Sequence, residues 1–527
     1  MLVALLAIQT LPLLARVDDP VRPHQDVLGY GFSISIPERG DRIVARATVR
    51  FRVVGADGEL VLDLDDVLTV ERVLAEELPV PYVHQGDSLV IQRWGAPGDT
   101  LEVDIHYSGV PPDGLLFGPT ARGVRAAFAD NWPDRARRWL PVNDHPSDKA
   151  AVSWDVEAPH GWRVVANGIE RDLEGGDEGR RRWRFEELHP LPSYTYVIGA
   201  GPFVVGPPAD EGALLQRLWT YPEDSSFAVT GPFRRVGEIV RVLEAAVGPF
   251  PYRQLAHVQS RTRFGGMENA GAIFYAERGF VEGTMSERLV VHETAHQWFG
   301  DAVTPRDWHH LWLSEGLATY LDALFYDLVG EHETFRESMA SKRERYVGSR
   351  VVDRPILDFD EPRPMALLTA NAYQKAAWVL HMLRREVGDT AFLAGLRAYY
   401  QRYRDSTAVS AEFAAVMEEA SGRPLETFFT QWLTQPGFPE LEVTVQRFGR
   451  GRHGHLEIEQ VQPEAWGMFS LPVRVDALAT ASGRRTSVTL RMRSRKASVH
   501  FALPEGADSI VVDPAGDALM TARARWK

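Results

Sequence analysis

Two histidines four residues apart, with a glutamate next to the first, constrain this 527-residue chain more than any other stretch: His292-Glu293-Thr294-Ala295-His296. Residues at that spacing share one face of a helix, so both imidazoles can present nitrogens to one metal ion at about 2.0–2.1 Å. The spacing predicts a helix here, with Glu293 beside the ligands and within reach of a metal-bound water. A catalytic zinc takes three protein ligands and keeps its fourth position for water or substrate. Glu315, in Trp312-Leu313-Ser314-Glu315-Gly316, is placed to supply the third. After it, Leu317, Leu321, Leu324, Phe325 and Leu328 fall along one apolar stripe, which predicts a second helix, joined to the first by a loop through Thr304-Pro305. Such residues can also face solvent on ordinary amphipathic helices; the spaced glutamate is what weighs against that reading.

The chemistry expected of such a site is hydrolysis of an amide with one zinc per chain. Zinc lowers the pKa of a bound water from about 15.7 toward about 7, which lets a nearby carboxylate take its proton at neutral pH. Glu293 is the candidate general base, able to return the proton to the leaving amine. Upstream lies Gly265-Gly266-Met267-Glu268-Asn269. Its glycines allow backbone to run close against a ligand, and Glu268 offers a carboxylate there. Taken alone, this stretch reads equally well as a tight turn or a bulge at a strand end.

Together, Gly265-Gly266-Met267-Glu268-Asn269, the segment His292 to Asp301 and Trp312 to Gly316 closely resemble the aminopeptidase N family of zinc metallopeptidases, gluzincins that include leukotriene-A hydrolase. The resemblance implies that Glu268 binds the free α-amine of a peptide, with Glu315 sharing that contact and the neighbouring Gly265, Gly266, Met267 and Asn269 forming the substrate-binding loop. It also implies that Tyr373, in Ala372-Tyr373-Gln374-Lys375-Ala376, stabilises the oxyanion, although the glycine expected to end that motif is Ala376 here. A further acid or glutamine usually completes the amine site from the first domain. The corresponding position is Asn131 or Trp132, and neither is an acid.

The function this implies is that of a zinc aminopeptidase acting on peptides with a free N-terminus. A zinc endopeptidase would share the histidine motif but have no use for Glu268. A catalytically silent peptide-binding scaffold is expected to lose its base or a ligand, whereas Glu293, His292, His296, Glu315 and Tyr373 are all present. For orienting the ligand histidines, Asp301, Asp307 and Glu287 are equal candidates.

Around this centre the chain reads as a multidomain α+β protein. Residues 1–15 are apolar but lack a basic start and are interrupted by Gln9-Thr10; at that length they predict a cleaved export signal, with a cytoplasmic protein as the alternative, and not a membrane span. Residues 16–205 alternate with period two, as in Tyr30, Phe32, Ile34 and Ile36 and in Ala47, Val49, Phe51 and Val53, predicting an antiparallel β domain. Residues 206–438 shift to helical patterning, consistent with a thermolysin-like α/β catalytic domain. Residues 439–527 alternate again and predict a small β-sandwich. Relatives of this kind often continue into a large C-terminal helical domain; none is predicted here, so a more open cleft is expected.

The absence of cysteine excludes disulfides and thiolate ligands, and a net charge of -14 opposes a nucleic-acid partner. Arginine-rich stretches at Arg135 to Arg138 and Arg491 to Arg495 read as structural rather than as binding patches. No reading of oligomeric state follows from the sequence.

Overall fold

The computed structural model describes residues 14–17, 22, 24–55, 59–92, 95–171, 179–207, 214–449 and 451–527. Residues 1–13, which carry most of the export-signal reading, lie outside them. The chain forms two compact units. One comprises residues 17–308 and 400–408; the other comprises residues 14–16, 309–399 and 409–527. The chain passes from one to the other between Trp308 and His309, inside the stretch read above as the catalytic domain.

In the first unit the period-two segments are strands. Tyr30, Phe32 and Ile34 turn inward from Gln25–Ser35, and Ala45, Ala47, Val49, Phe51 and Val53 from Ile43–Val53. Full burial of one such large side chain contributes about 1.5–3 kcal/mol. These two strands sit inside an eight-stranded sheet. The sheet is mixed rather than antiparallel: Gln25–Ser35 runs parallel to Lys149–Pro159, with Gly29 opposite Ala151. Side chains alternate between faces in both kinds of ladder, so the pattern that revealed the strands carried no information on their direction. The arginines at 135–138 are structural, as expected: Arg135 pairs with Asp130, Arg137 with Asp144 and Arg138 with Asp65.

A five-stranded sheet follows in the order Val204–Gly206, Leu215–Thr220, Gln254–Ser260, Ala272–Ala276, Gly266–Met267. Its central strands run parallel, and helix Val236–Val247 lies between two of them in the chain. Helical patterning alone missed this sheet. Residues 255–260 are buried without a break, so the strand lacks the alternation by which a half-exposed one is recognised. The loop expected through Thr304-Pro305 is also a strand, Val303–Pro305, parallel to Ser406–Ala408. Three residues are too few for a periodicity to register.

In the second unit, helix Trp312–Leu328 is buried from Trp312 through Tyr326. The expected stripe is buried at Leu317, Leu321, Leu324 and Phe325, but burial extends round the helix to polar Ser314, Thr319 and Asp322 as well. Leu328, assigned to the stripe, is instead 38% exposed. The helix contacts His332–Val347 and Ala376–Val387, and a buried ion pair from Lys342 to Asp322 at 2.7 Å fixes it against the first of these. Its N-terminus is tied by the Trp312 indole, which donates to Ser410 Oγ at 2.8 Å. A helix spans Ser410–Ser421 and closes on Gly422 in the left-handed conformation. Residues 440–526 form a four-stranded and a three-stranded sheet, with Val443, Val445, Leu456 and Ile458 buried on the first and Leu471, Val473 and Val475 on the second. No helix among the described residues is long and apolar enough to cross a membrane.

Candidate metal centre

The histidine pair lies on helix Glu287–His296, which starts where the Ser286 side chain accepts a hydrogen bond from the Leu289 N–H. That cap satisfies one of the free donors of the first turn and contributes about 1 kcal/mol. One turn apart on this helix, His292 and His296 bring their Nε2 atoms to 3.1 Å. Two nitrogens bound to one tetrahedral ion at about 2.0–2.1 Å lie about 3.3 Å apart, so the pair is already spaced as ligands. The other nitrogen of His296, Nδ1, is 3.1 Å from the Phe299 carbonyl oxygen. A carbonyl only accepts, so Nδ1 carries the proton and Nε2 presents its lone pair to the ion.

Two carboxylates converge on the same point. Ligand atoms of Glu268, Glu293 and His296 all lie within 4.8 Å of one another, and all three residues are buried. Two acidic groups so close and buried are both ionised only with a cation between or beside them; otherwise one keeps its proton. Imidazole and carboxylate donors suit zinc. The residues present therefore fit the metal that the sequence implies.

The position of Glu293 depends on a glycine. A Cβ built on Gly266 would overlap the Glu293 carboxylate, so only glycine lets these two segments approach. Gly266–Met267 is the edge strand of the five-stranded sheet, antiparallel to Phe274 and Tyr275. The Gly265 carbonyl accepts from Ala276 N–H at 3.0 Å. Met267 is buried, and the chain then turns through Glu268 to Gly271, where φ is +71°. Asn269 is 1% exposed, yet neither its Oδ1 nor its Nδ2 finds a hydrogen-bond partner among the described residues. A buried carboxamide left so is costly, by about 1–3 kcal/mol per group, and its polar atoms suit a ligand that donates and accepts at once.

Glu315 and Tyr373 belong to the second unit. Glu315 is buried in the first turn of helix Trp312–Leu328. Tyr373 is half-buried on a π-helical turn, Asn371–Lys375, that leads into helix Ala376–Val387; such turns are frequent at functional sites. Gly316, the residue after Glu315, packs against Ala372 and Ala376, which flank Tyr373 in the chain. A Cβ on Gly316 would lie 2.5 Å from the Ala376 Cβ and 3.2 Å from the Ala372 carbonyl. Ala376, which departs from the resembled motif, thus fits because residue 316 has no side chain.

Some assignments resolve differently from expectation. Asn131 is taken up by the fold: its Nδ2 donates to the Tyr196 carbonyl at 2.7 Å and its Oδ1 accepts from the Trp139 indole at 2.8 Å. Trp132 packs edge-on against Phe264 and Trp308, with ring centroids 5.9 and 5.2 Å away. Of the second-sphere candidates, Asp301 accepts from Gln297 at 2.9 Å and Glu287 pairs with Arg235 at 3.3 Å; Asp307 is fully buried. The partner of the His296 ring was missed because it is a backbone carbonyl, which any residue type supplies.

The comparisons with known proteins agree with this geometry. Residues 32–195 match the Peptidase M1 N-terminal domain and residues 239–432 the Peptidase family M1 domain, together more than half of the chain. Over 499 residues the chain is 27% identical to an aminopeptidase N of Streptomyces lividans, covering 84% of this chain and 52% of that one. It is 26% identical over 421 residues to a probable aminopeptidase 1 of Sulfurisphaera tokodaii, covering 74% and 51%. The chain thus spans about half the length of the curated relatives it matches. The crystal structure of an M1 zinc metallopeptidase from Deinococcus radiodurans superimposes with a TM-score of 0.67 at 26% identity, over 79% of this chain and 95% of that one. A mutant of that metallopeptidase, 25% identical to this chain and with the same TM-score and shares covered, was solved bound to a Tyr-Ser-Ala substrate. With its two matched domains and its paired histidines, this chain belongs to the M1 family of zinc metallopeptidases, that of aminopeptidase N.

Proposed function

We propose that the protein is a zinc aminopeptidase that hydrolyses the first peptide bond of peptides with a free N-terminus. The observation that carries this reading is the convergence of Glu268 and Glu293 on His296, whose Nε2 already lies at ligand spacing from that of His292. His292, His296 and Glu315 hold the zinc in this proposal; the burial of Glu315 at the start of its helix and its sequence spacing support it as the third ligand. The metal, when bound, acidifies water and polarises a carbonyl.

Glu293 takes a proton from the attacking water on its carboxylate and returns it to the departing amine. Glu268 receives the substrate's α-ammonium. In so dry a site each charge-assisted hydrogen bond is worth about 1.5–3 kcal/mol, and the contact fixes cleavage one residue from the chain end. Asn269 offers its unpartnered carboxamide to the peptide backbone, with Gly265, Gly266 and Met267 forming the strand beside it. Tyr373 donates its hydroxyl to the oxygen on which charge develops.

A paired assay on zinc-quantified protein tests this. One zinc per chain and cleavage of a short peptide with a free N-terminus, but not of its acetylated form, is the expected result. Cleavage of both forms identifies an endopeptidase. Cleavage of neither, with zinc bound, identifies a binding scaffold.

A further inference from the structure

Gln297, the residue after the second histidine, is fully buried, and its carboxamide makes three hydrogen bonds. Nε2 donates to the Glu268 backbone carbonyl at 2.7 Å and to Asp301 Oδ2 at 2.9 Å; Oε1 accepts from the Gly271 N–H at 2.8 Å. The two backbone contacts lie on either side of Asn269-Ala270, in the turn that Gly271 closes with its positive φ. One side chain thus grips the amine-binding loop on both sides of that turn, and it leaves the chain one residue beyond His296. Asp301, which takes the second donation, is itself held: its N–H donates to the His296 carbonyl at 3.1 Å, and Lys149 Nζ donates to its carbonyl at 2.8 Å.

We propose that Gln297 is a positioning residue for amine recognition, setting the distance between the Glu268 carboxylate and the His292/His296 pair. Only a primary carboxamide of this length donates twice and accepts once in these directions; a carboxylate loses both donations and a thioether loses all three bonds. The turn is also held from elsewhere, its Ala270 carbonyl accepting from Asn167 Nδ2 at 2.8 Å, its Gly271 carbonyl from Ala256 N–H at 2.9 Å and its Asn269 carbonyl from Ala272 N–H at 3.0 Å, but it is Gln297 that joins the Glu268 backbone to the end of the histidine helix. Without Gln297 the Glu268 backbone loses this tie to the metal helix, and a displacement of about 1 Å is enough to lose on the order of 10²-fold in a positioned reaction.

This inference rests on the aminopeptidase reading, so its test separates the two. The protein is loaded with zinc, and inhibition is measured with a short peptide analogue bearing a free α-amine and with the same analogue lacking that amine. The ratio of the two inhibition constants is the amine selectivity. If the unaltered protein shows none, the aminopeptidase reading fails. If it does, Gln297→Met and Gln297→Glu are each expected to retain one zinc per chain and to lose selectivity at least tenfold, with KM for a free-amine substrate rising by a larger factor than kcat falls. In a Glu268→Ala background the same changes are expected to have no further effect on selectivity, because the group they position is gone.

Two results overturn the proposal while leaving the aminopeptidase reading intact. One is unchanged selectivity in the Gln297 variants. The other is loss of zinc or of folding in both, which makes Gln297 a support of the metal helix instead.

Discussion

The two units hold their candidate residues by different physical means. In the first, polar groups are held by directed hydrogen bonds: the Phe299 carbonyl orients His296, and Gln297 holds the Glu268 loop. In the second, Glu315 and Tyr373 ride on helical segments whose approach to each other is set by close packing, where Gly316 meets Ala372 and Ala376. Hydrogen bonds are short-ranged and directional, so the first arrangement defines where individual atoms lie. Packing defines where whole helices lie, and it is the packed half that should respond as stability when disturbed.

The largest expected effects break the first arrangement at its chemical core. His296→Ala should lose the metal and with it all turnover, as read by metal analysis. Glu293→Ala should keep one zinc per chain yet lose at least about 10²–10⁴-fold in kcat. Hydrolysis at an unreduced rate in the zinc-loaded Glu293 variant contradicts its role as the base. Tyr373→Phe comes next: loss of one oxyanion donor costs about 2.7–4 kcal/mol in the transition state, expected here in kcat with KM nearly unchanged.

A matched pair of glycine substitutions sharpens the comparison itself. Gly266→Ala places a methyl group against the Glu293 carboxylate, and Gly316→Ala places one 2.5 Å from the Ala376 Cβ. The first is expected to displace a side chain and cut kcat while the denaturation midpoint stays close to that of the parent. The second forces two helices apart and is expected to cost about 1–3 kcal/mol of stability, as overpacking of a tight contact does. Equal effects of the two on urea unfolding sink the distinction drawn between the units.

How much of this was legible in the sequence follows the same division. His292, His296 and Glu293 could be singled out because their residue types are uncommon in combination and their spacing has a chemical meaning, whereas Glu268 gained its role only through resemblance. The double glycine before Met267 was also a signal, although its cause, the approach of Gly266 to Glu293, appears only in three dimensions. Tyr373 was nameable only through resemblance, since nothing local marks one tyrosine among 15. The strand at Gln254–Ser260 and the all-round burial of helix Trp312–Leu328 stayed hidden, because periodicity reports contrast between faces and these elements have none. Asn131 stayed open for a related reason: a sequence position near a site does not reveal that the side chain is already bonded to Tyr196 and Trp139.

The smallest effect expected is also the one that most directly probes the packed half. Lys375, two residues after Tyr373, is fully buried. Its Nζ donates to the Gln435 carbonyl at 2.7 Å and stands 5.8 Å from the centre of the Tyr346 ring. Burial alone pushes its pKa down to about 7, against about 10.4 for an exposed lysine. Below about pH 7 both folded and unfolded chains carry the charge, and the folded state bears the full penalty of desolvating it. Between about 7 and about 10.4 the unfolded state binds more protons than the folded one, so this group makes stability rise with pH. Lys375→Met removes the charge and the pH dependence together, at the expense of an unsatisfied Gln435 carbonyl worth about 1–3 kcal/mol. The methionine variant is therefore expected to gain most on the parent at pH 6, by about 1–2 kcal/mol, and to fall level with it or below by pH 9, as urea midpoints measured across that range will show. A constant difference at every pH means that the ammonium is better solvated than its burial implies. The Lys375 contact then joins Lys342–Asp322 and Trp312–Ser410 among the polar ties of the second unit, and the contrast between the units narrows.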